Sequence, residues 1–261
     1  MVFLHSFGGS GKAWAQVAES LGEGWRCVMP DLRGFGDSDT LPASYVMADA
    51  ADDVLNLVDA LGLERYALVG HSMGGKIAMA IAARQPPGLV QLVLLAPSPP
   101  SPEPIAADER THLLDSYSNR AAAEAATRES SGRPLTDALF LQAVNDRLRT
   151  SHAAWRWWLL HGSKENICSA LAAIAVPSLV LHGTLDKNIS SAVIEQEVMP
   201  RLPRARLQTL QGFGHLLPLE TPQLIAQAIV QAFVPAAPTG SRKSGLASPQ
   251  APQPPQDAPN H

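Results

Sequence analysis

Short apolar runs alternate with helix-length amphipathic segments along most of this chain. The runs are Val2–His5, Arg26–Met29, Tyr66–Val69, Leu89–Leu95, Ser178–Leu181 and Ala205–Leu210. Such short, nearly unbroken apolar stretches suit strands covered on both faces. Between them, Lys12–Leu21, Ala48–Leu61, Met73–Arg84, Ser191–Met199 and Pro222–Phe233 read as helices. Ala48–Leu61 shows the period well: Val54, Leu55, Val58 and Leu61 share one face, while Asp52, Asp53, Asn56 and Asp59 turn outward. The alternation predicts an α/β fold, a doubly wound and mostly parallel sheet.

One stretch breaks the pattern. From Pro97 to about Ile174 no strand signal occurs, and Pro97–Pro104 holds five prolines. Helix-like segments follow, including Ala121–Glu129 and Leu135–Arg149, then Trp155-Arg156-Trp157-Trp158. An insertion this long is more than a connection between strands. The chain is therefore expected to form a core from residues 1–97 and 175–234, with 98–174 as a helical cap over the end of the sheet. From Pro235 the composition shifts to Pro, Ala, Ser and Gln, and residues 235–261 are expected to be a disordered tail.

Composition narrows the function classes. The 261 residues are 46% hydrophobic and 17% charged, enough to bury a sizeable core. A net charge of −4 without long runs of one sign gives no surface for a phosphate backbone, which argues against nucleic acid. No segment has the roughly 20 apolar residues that span a bilayer, and Met1–His5 does not read as a secretory signal. Two cysteines are too few for a disulfide scaffold. The default compartment is the cytoplasm, with monomer and homo-oligomer both open.

The chemistry begins at Gly70-His71-Ser72-Met73-Gly74-Gly75, between a predicted strand and a predicted helix. Gly-x-Ser-x-Gly in that setting is a nucleophile elbow, a tight turn that lifts the serine hydroxyl above the sheet edge. The plainer alternative is a glycine-rich turn whose serine caps the helix. A serine nucleophile needs a base, and the base needs an orienting acid. Of eight histidines, His261 is in the tail, and His112, His152 and His161 fall in the cap. His71 adjoins the nucleophile, and His182 sits in a strand as a core imidazole. His215 stands in the flexible Gln211-Gly212-Phe213-Gly214 loop past the last strand, the place for a base. Asp186 follows the strand Ser178–Leu181 directly and is the leading acid; it could instead cap the next helix. Glu103 and Asp108 are the fallback acids. Two amides must hold the oxyanion: Met73, after the nucleophile, and Phe7, in the loop after the first strand.

These motifs together resemble the α/β-hydrolase superfamily of small esterases, lactonases and cofactor-free haloperoxidases. The resemblance runs from residue 1 to about 234, the cap excepted. It is carried by His5-Ser6-Phe7-Gly8-Gly9, Asp31–Ser38, Gly70–Gly75, Gly183–Asp186, and Gly212–His215 with Glu220. Asp31–Ser38 is read as scaffold. Ser6 stands where the family usually has glycine, which resembles enol-lactone hydrolases. The family's upstream β-hairpin is missing here. Arg26–Met29 is then expected to form a bare sheet edge, either because the natural protein starts further upstream or because another chain covers it.

The reading that follows is hydrolysis of a small carboxylic ester by Ser72, His215 and Asp186. Lactone hydrolysis is the close alternative, and carbon–carbon hydrolysis or perhydrolysis use the same triad. A non-catalytic binding module would have no need for every part of it. No metal or cofactor is implied. In the cap, helical positions two apart lie about 200° from each other. At least one of Trp155, Trp157 and Trp158 should therefore face the pocket or the solvent. Trp155 and Trp158 are the pocket candidates.

Overall fold

The computed structural model describes residues 1–39 and 45–233; the expected tail lies outside the described residues. Five strands run parallel in the order β1 (Val2–Leu4), β2 (Tyr66–His71), β3 (Leu89–Leu95), β4 (Ser178–Gly183) and β5 (Ala205–Leu210). Alternate residues of the central strands feed two separate cores. Leu4, Leu68, Leu92, Leu94 and Val180 join the core under α2 (Met47–Ala60) and α3 (Met73–Ala83). Phe3, Val69, Val93, Leu95 and Leu181 join the other, with α1 (Ala15–Leu21). Both faces of β2, β3 and β4 are thus buried, which is why these strands read as nearly continuous apolar runs, whereas the edge strand β5 is partly exposed.

The chain first moves outward from β1 through α1 to Val28, then returns across β1 through α2 to β2. Right-handed crossovers in opposite directions put their helices on opposite faces, and α1 and α2 do lie in different cores. The reversal falls at the carboxyl ends of β1 and β2, where open α/β sheets bind ligands.

The predicted strand Arg26–Met29 shrinks to one bridging residue. Val28 accepts from the Phe3 amide at 2.8 Å and donates to the Met1 carbonyl at 2.8 Å. Cys27 and Met29 pack against the α1 side of the sheet, and Trp25 lies 5.0 Å from the Phe233 ring. Its apolar residues serve packing rather than strand pairing, and so short an edge offers little template for strand addition.

Between β3 and β4 run α4 (Ala107–Asp115), α5 (Arg120–Ser130), α6 (Asp137–Arg149) and α7 (His152–Leu160). Three of these start at side-chain caps, because Asn119, Thr136 and Ser151 accept from the Ala122, Leu139 and Ala154 amides. After β4, the predicted helix Ser191–Met199 is only partly α-helical. It is α8 (Ser191–Val193), then a π-helical turn Ile194–Val198, then a 3₁₀ turn Met199–Arg201. Pro200 lacks the N–H that would continue the α ladder, and the Arg201 guanidinium donates to the Gln196 and Glu197 carbonyls instead. After β5 come α9 (Leu217–Glu220) and α10 (Pro222–Phe233), which packs beside α1.

Candidate active site

Ser72 sits between β2 and α3 with φ 53° and ψ −115°. A side chain in that region costs on the order of 1–3 kcal/mol, so surrounding contacts must fix it. They do. The Ser72 amide donates to Leu95 of β3 at 3.0 Å, and its carbonyl accepts from the amides of Gly75, Lys76 and Ser98. The bend also needs bare backbone around it. A Cβ on Gly70 would lie 2.4 Å from the Gly74 carbonyl, and one on Gly74 would lie 2.4 Å from that of Leu4. The elbow is thus pressed onto the end of β1.

His215, in the loop after β5, reaches both neighbours. Its Nε2 lies 3.0 Å from Ser72 Oγ and its Nδ1 lies 2.8 Å from Asp186 Oδ2. The partners set the tautomer: Nδ1–H donates to the carboxylate, and Nε2 accepts from the hydroxyl. Asp186 is acid partner and turn cap together, since its Oδ1 accepts from the Asn188 and Ile189 amides at 2.8 and 2.9 Å. All three side chains are almost fully buried. Burial alone would push the Asp186 carboxyl up, but His215 and the two amides outweigh it and hold the carboxyl below its ordinary range. Burial would likewise depress His215, but Asp186 prevails and raises it above the ordinary histidine value.

Several further groups hold the histidine loop. The His215 amide donates to the Ser130 carbonyl at 2.8 Å, and Glu220 Oε2 accepts from the Gly132 and Gly214 amides at 3.0 and 2.9 Å. His71 Nε2–H donates to the His215 carbonyl at 2.7 Å, and burial pushes this imidazole down to about 3, so it stays neutral. Nothing local in the sequence marks this role of His71, because its partner lies 144 residues away. His182 is a core imidazole bonded to the Ile189 carbonyl at 2.8 Å. Of the fallback acids, Asp108 is exposed in the first turn of α4, and Glu103 lines the cavity without bonding to His215.

The loop after β1 faces Ser72. Ser6 does not have a positive φ among the described residues, so glycine is not required there. Its carbonyl accepts from the Gly9 amide at 3.0 Å and from His5 Nδ1 at 2.8 Å. His5 Nε2 in turn accepts from the Leu32 amide at 3.0 Å. Asp31 ties the same region together, accepting from the Gly11 and Asp37 amides at 2.6 and 2.7 Å. The Phe7 and Met73 amides have no hydrogen-bond partner among the described residues.

These loops open on a cavity of about 610 Å³, whose wall includes Phe7, Gly8, Ser72, His215, Arg147 and Trp158. Trp155, the other pocket candidate, is not part of that wall. Its ring packs 4.6 Å from Phe7, and its Nε1 donates to the Leu113 carbonyl at 3.0 Å. All three α7 tryptophans are buried, because both sides of the helix are covered and none is left to solvent.

A family model described as alpha/beta hydrolase fold matches residues 1–222. The chain belongs to the α/β-hydrolase family. Among curated relatives of this α/β-hydrolase is "Putative carbamate hydrolase RutD" of Caulobacter vibrioides, 40% identical over 119 residues. That match covers 44% of each chain, so it spans less than half the relative's length. "Putative 2-succinyl-6-hydroxy-2,4-cyclohexadiene-1-carboxylate synthase" of Bacillus subtilis is 27% identical over 248 residues and 88% of each chain. A solved thermophilic esterase from Thermogutta terrifontis superposes with TM-score 0.77 at 26% identity, covering 88% of this chain and 87% of that one. No helix among the described residues is long and apolar enough to cross a membrane.

Proposed function

We propose that this α/β-hydrolase cleaves small carboxylic esters through an acyl-enzyme on Ser72. The carrying observation is the unbroken chain from Ser72 Oγ through the His215 imidazole to Asp186. His215 Nε2 takes the hydroxyl proton as Oγ attacks the carbonyl carbon, and ionised Asp186 stabilises the imidazolium. The carbonyl oxygen becomes an oxyanion, received by the unpartnered Phe7 and Met73 amides. Collapse expels the alcohol, which takes the proton from His215. Water then repeats the sequence and releases the acid. The inserted helices α4–α7 act as the cap, with Trp158 on the substrate wall. No step calls on a metal or cofactor.

Lactone hydrolysis follows the same steps, and Ser6 in the oxyanion loop favours it as the second reading. The relative named as a carbamate hydrolase adds carbamates to the acyl derivatives worth assaying. A fluorophosphonate probe should label Ser72 stoichiometrically, and kcat/KM across esters, lactones and carbamates should rank them. Failure to label intact, folded protein would remove the acyl-enzyme reading.

The pH profile gives an independent test. Catalysis needs neutral His215, and its pKa is raised above 6.5 by Asp186 against the pull of burial. Activity should therefore fall as pH drops, with the acid limb of kcat/KM centred above 6.5. A midpoint at or below that value would show that burial outweighs Asp186 at the base.

A further inference from the structure

Arg147, on α6, is the unusual charge on the cavity wall. Its side chain lies along the oxyanion loop: a Cβ on Gly8 would meet Arg147 Cγ at 3.3 Å and Nη1 at 3.5 Å. The guanidinium carbon stands 4.7 Å from the Trp155 ring centre and 5.9 Å from that of Phe7. No carboxylate pairs with it among the described residues. The adjacent Asp146 is taken by Ser10 Oγ at 2.7 Å and by Arg149 at 3.0 Å. Arg149 and Lys12 share Asp37. Burial pushes the Arg147 guanidinium down to about 10, which leaves it charged at neutral pH, half-buried and open to the cavity.

A cation held on aromatic rings could be a packing device alone. An apolar side chain would pack there without desolvating a charge, a cost that proteins normally offset by pairing. The cavity supplies the place for a partner, and a planar guanidinium matches a carboxylate through two parallel hydrogen bonds. We infer that Arg147 receives a carboxylate on the acyl part of the substrate, so that the preferred substrates are monoesters of dicarboxylic acids. The acyl side follows from position, because Arg147 overlies the loop that is to receive the acyl carbonyl oxygen. Other carboxyls on the wall do not preclude this. Glu109 and Glu129 are exposed, and burial raises Glu103, with Ser98 and Lys76 opposing.

This inference rests on the acyl-enzyme reading for its substrate, but its binding arm does not. The kinetic arm compares 4-nitrophenyl hydrogen adipate and suberate with the matching ω-carboxamide esters, which are neutral and nearly isosteric. Wild type should favour the acid over the amide by roughly 10- to 100-fold in kcat/KM, the range of a charge-assisted hydrogen bond. The ratio of the two constants should collapse towards one in Arg147→Met and recover in part in Arg147→Lys. Reading the ratio removes any common loss from disturbed packing on Trp155 and Phe7. The binding arm uses Ser72→Ala protein and calorimetry with free adipate. Adipate should bind, adipamide should not, and Arg147→Met in that background should abolish adipate binding. A wild-type ratio at or below one, or a ratio or adipate affinity unchanged by Arg147→Met, would overturn the assignment. If Arg147→Met does not fold, Arg147→Gln takes its place. Adipate binding without turnover of any ester would instead count against the acyl-enzyme reading and leave Arg147 standing.

Discussion

Replacing Ser72 with alanine is expected to lower kcat for a 4-nitrophenyl ester by roughly 10⁴- to 10⁶-fold. The backbone should not move much. Alanine meets the same positive φ as serine, and the elbow stays pinned through the Ser72 amide and carbonyl to Leu95, Gly75, Lys76 and Ser98. Only the hydroxyl bonded to His215 Nε2 is lost. His215→Ala should be nearly as damaging, since the hydroxyl then has no base. The double variant should be hardly worse than either single one, because the two groups act as a unit. Unchanged melting temperatures would assign the losses to chemistry. Residual activity within tenfold of wild type in Ser72→Ala, purified free of host esterases, would mean that the reaction runs elsewhere.

The parts of the site legible in sequence are those whose signal is local. The elbow can be read because Gly70 and Gly74 are dictated by contacts of a few ångströms around Ser72. Asp186 follows a strand that announces itself by a buried apolar run, and His215 follows one whose Leu207 and Leu210 alternate with the polar Arg206, Gln208 and Thr209 of a sheet edge. The misreadings have a common cause: an apolar run does not say what it packs against. Cys27, Val28 and Met29 resemble a strand, yet only Val28 pairs with one. Helix α4 is the converse, because its mostly charged and polar sequence buries only Arg110 and so has little apolar stripe to read. Arg110 itself anchors the insertion, donating to the Leu159 carbonyl and to Ser163 Oγ. Contacts made across the fold are not legible at all. His71 on the histidine loop and Arg147 over Gly8 meet partners more than a hundred residues away. In sequence, Asp146-Arg147-Leu148-Arg149 looks like the solvated face of a helix. The fold turns Arg149 towards Asp37 and Asp146 and leaves Arg147 on the cavity.

Asp186→Asn should separate orientation of the base from structural support of its loop. Asparagine is nearly isosteric, but only one of its two terminal atoms accepts hydrogen bonds. The Asn188 and Ile189 amides, now 2.8 and 2.9 Å from Asp186 Oδ1, demand an acceptor there. The amide NH₂ must then face His215 Nδ1, where Asp186 Oδ2 now sits at 2.8 Å. Two donors cannot face each other, so the imidazole switches tautomer, with its proton on Nε2 and directed at Ser72 Oγ. A base whose lone pair points away cannot accept the serine proton, and kcat should fall by about 10⁴-fold. The turn after β4 keeps both of its amide bonds, so thermal stability should change little. Asp186→Ala loses those bonds as well and should destabilise the protein measurably. The acid limb of the pH profile should also move down in Asp186→Asn, because the carboxylate that raises His215 is gone. A loss below about 100-fold would show that another carboxylate can orient His215. Glu103 on the cavity wall is the candidate, and adding Glu103→Gln to Asp186→Asn would then remove the remaining activity.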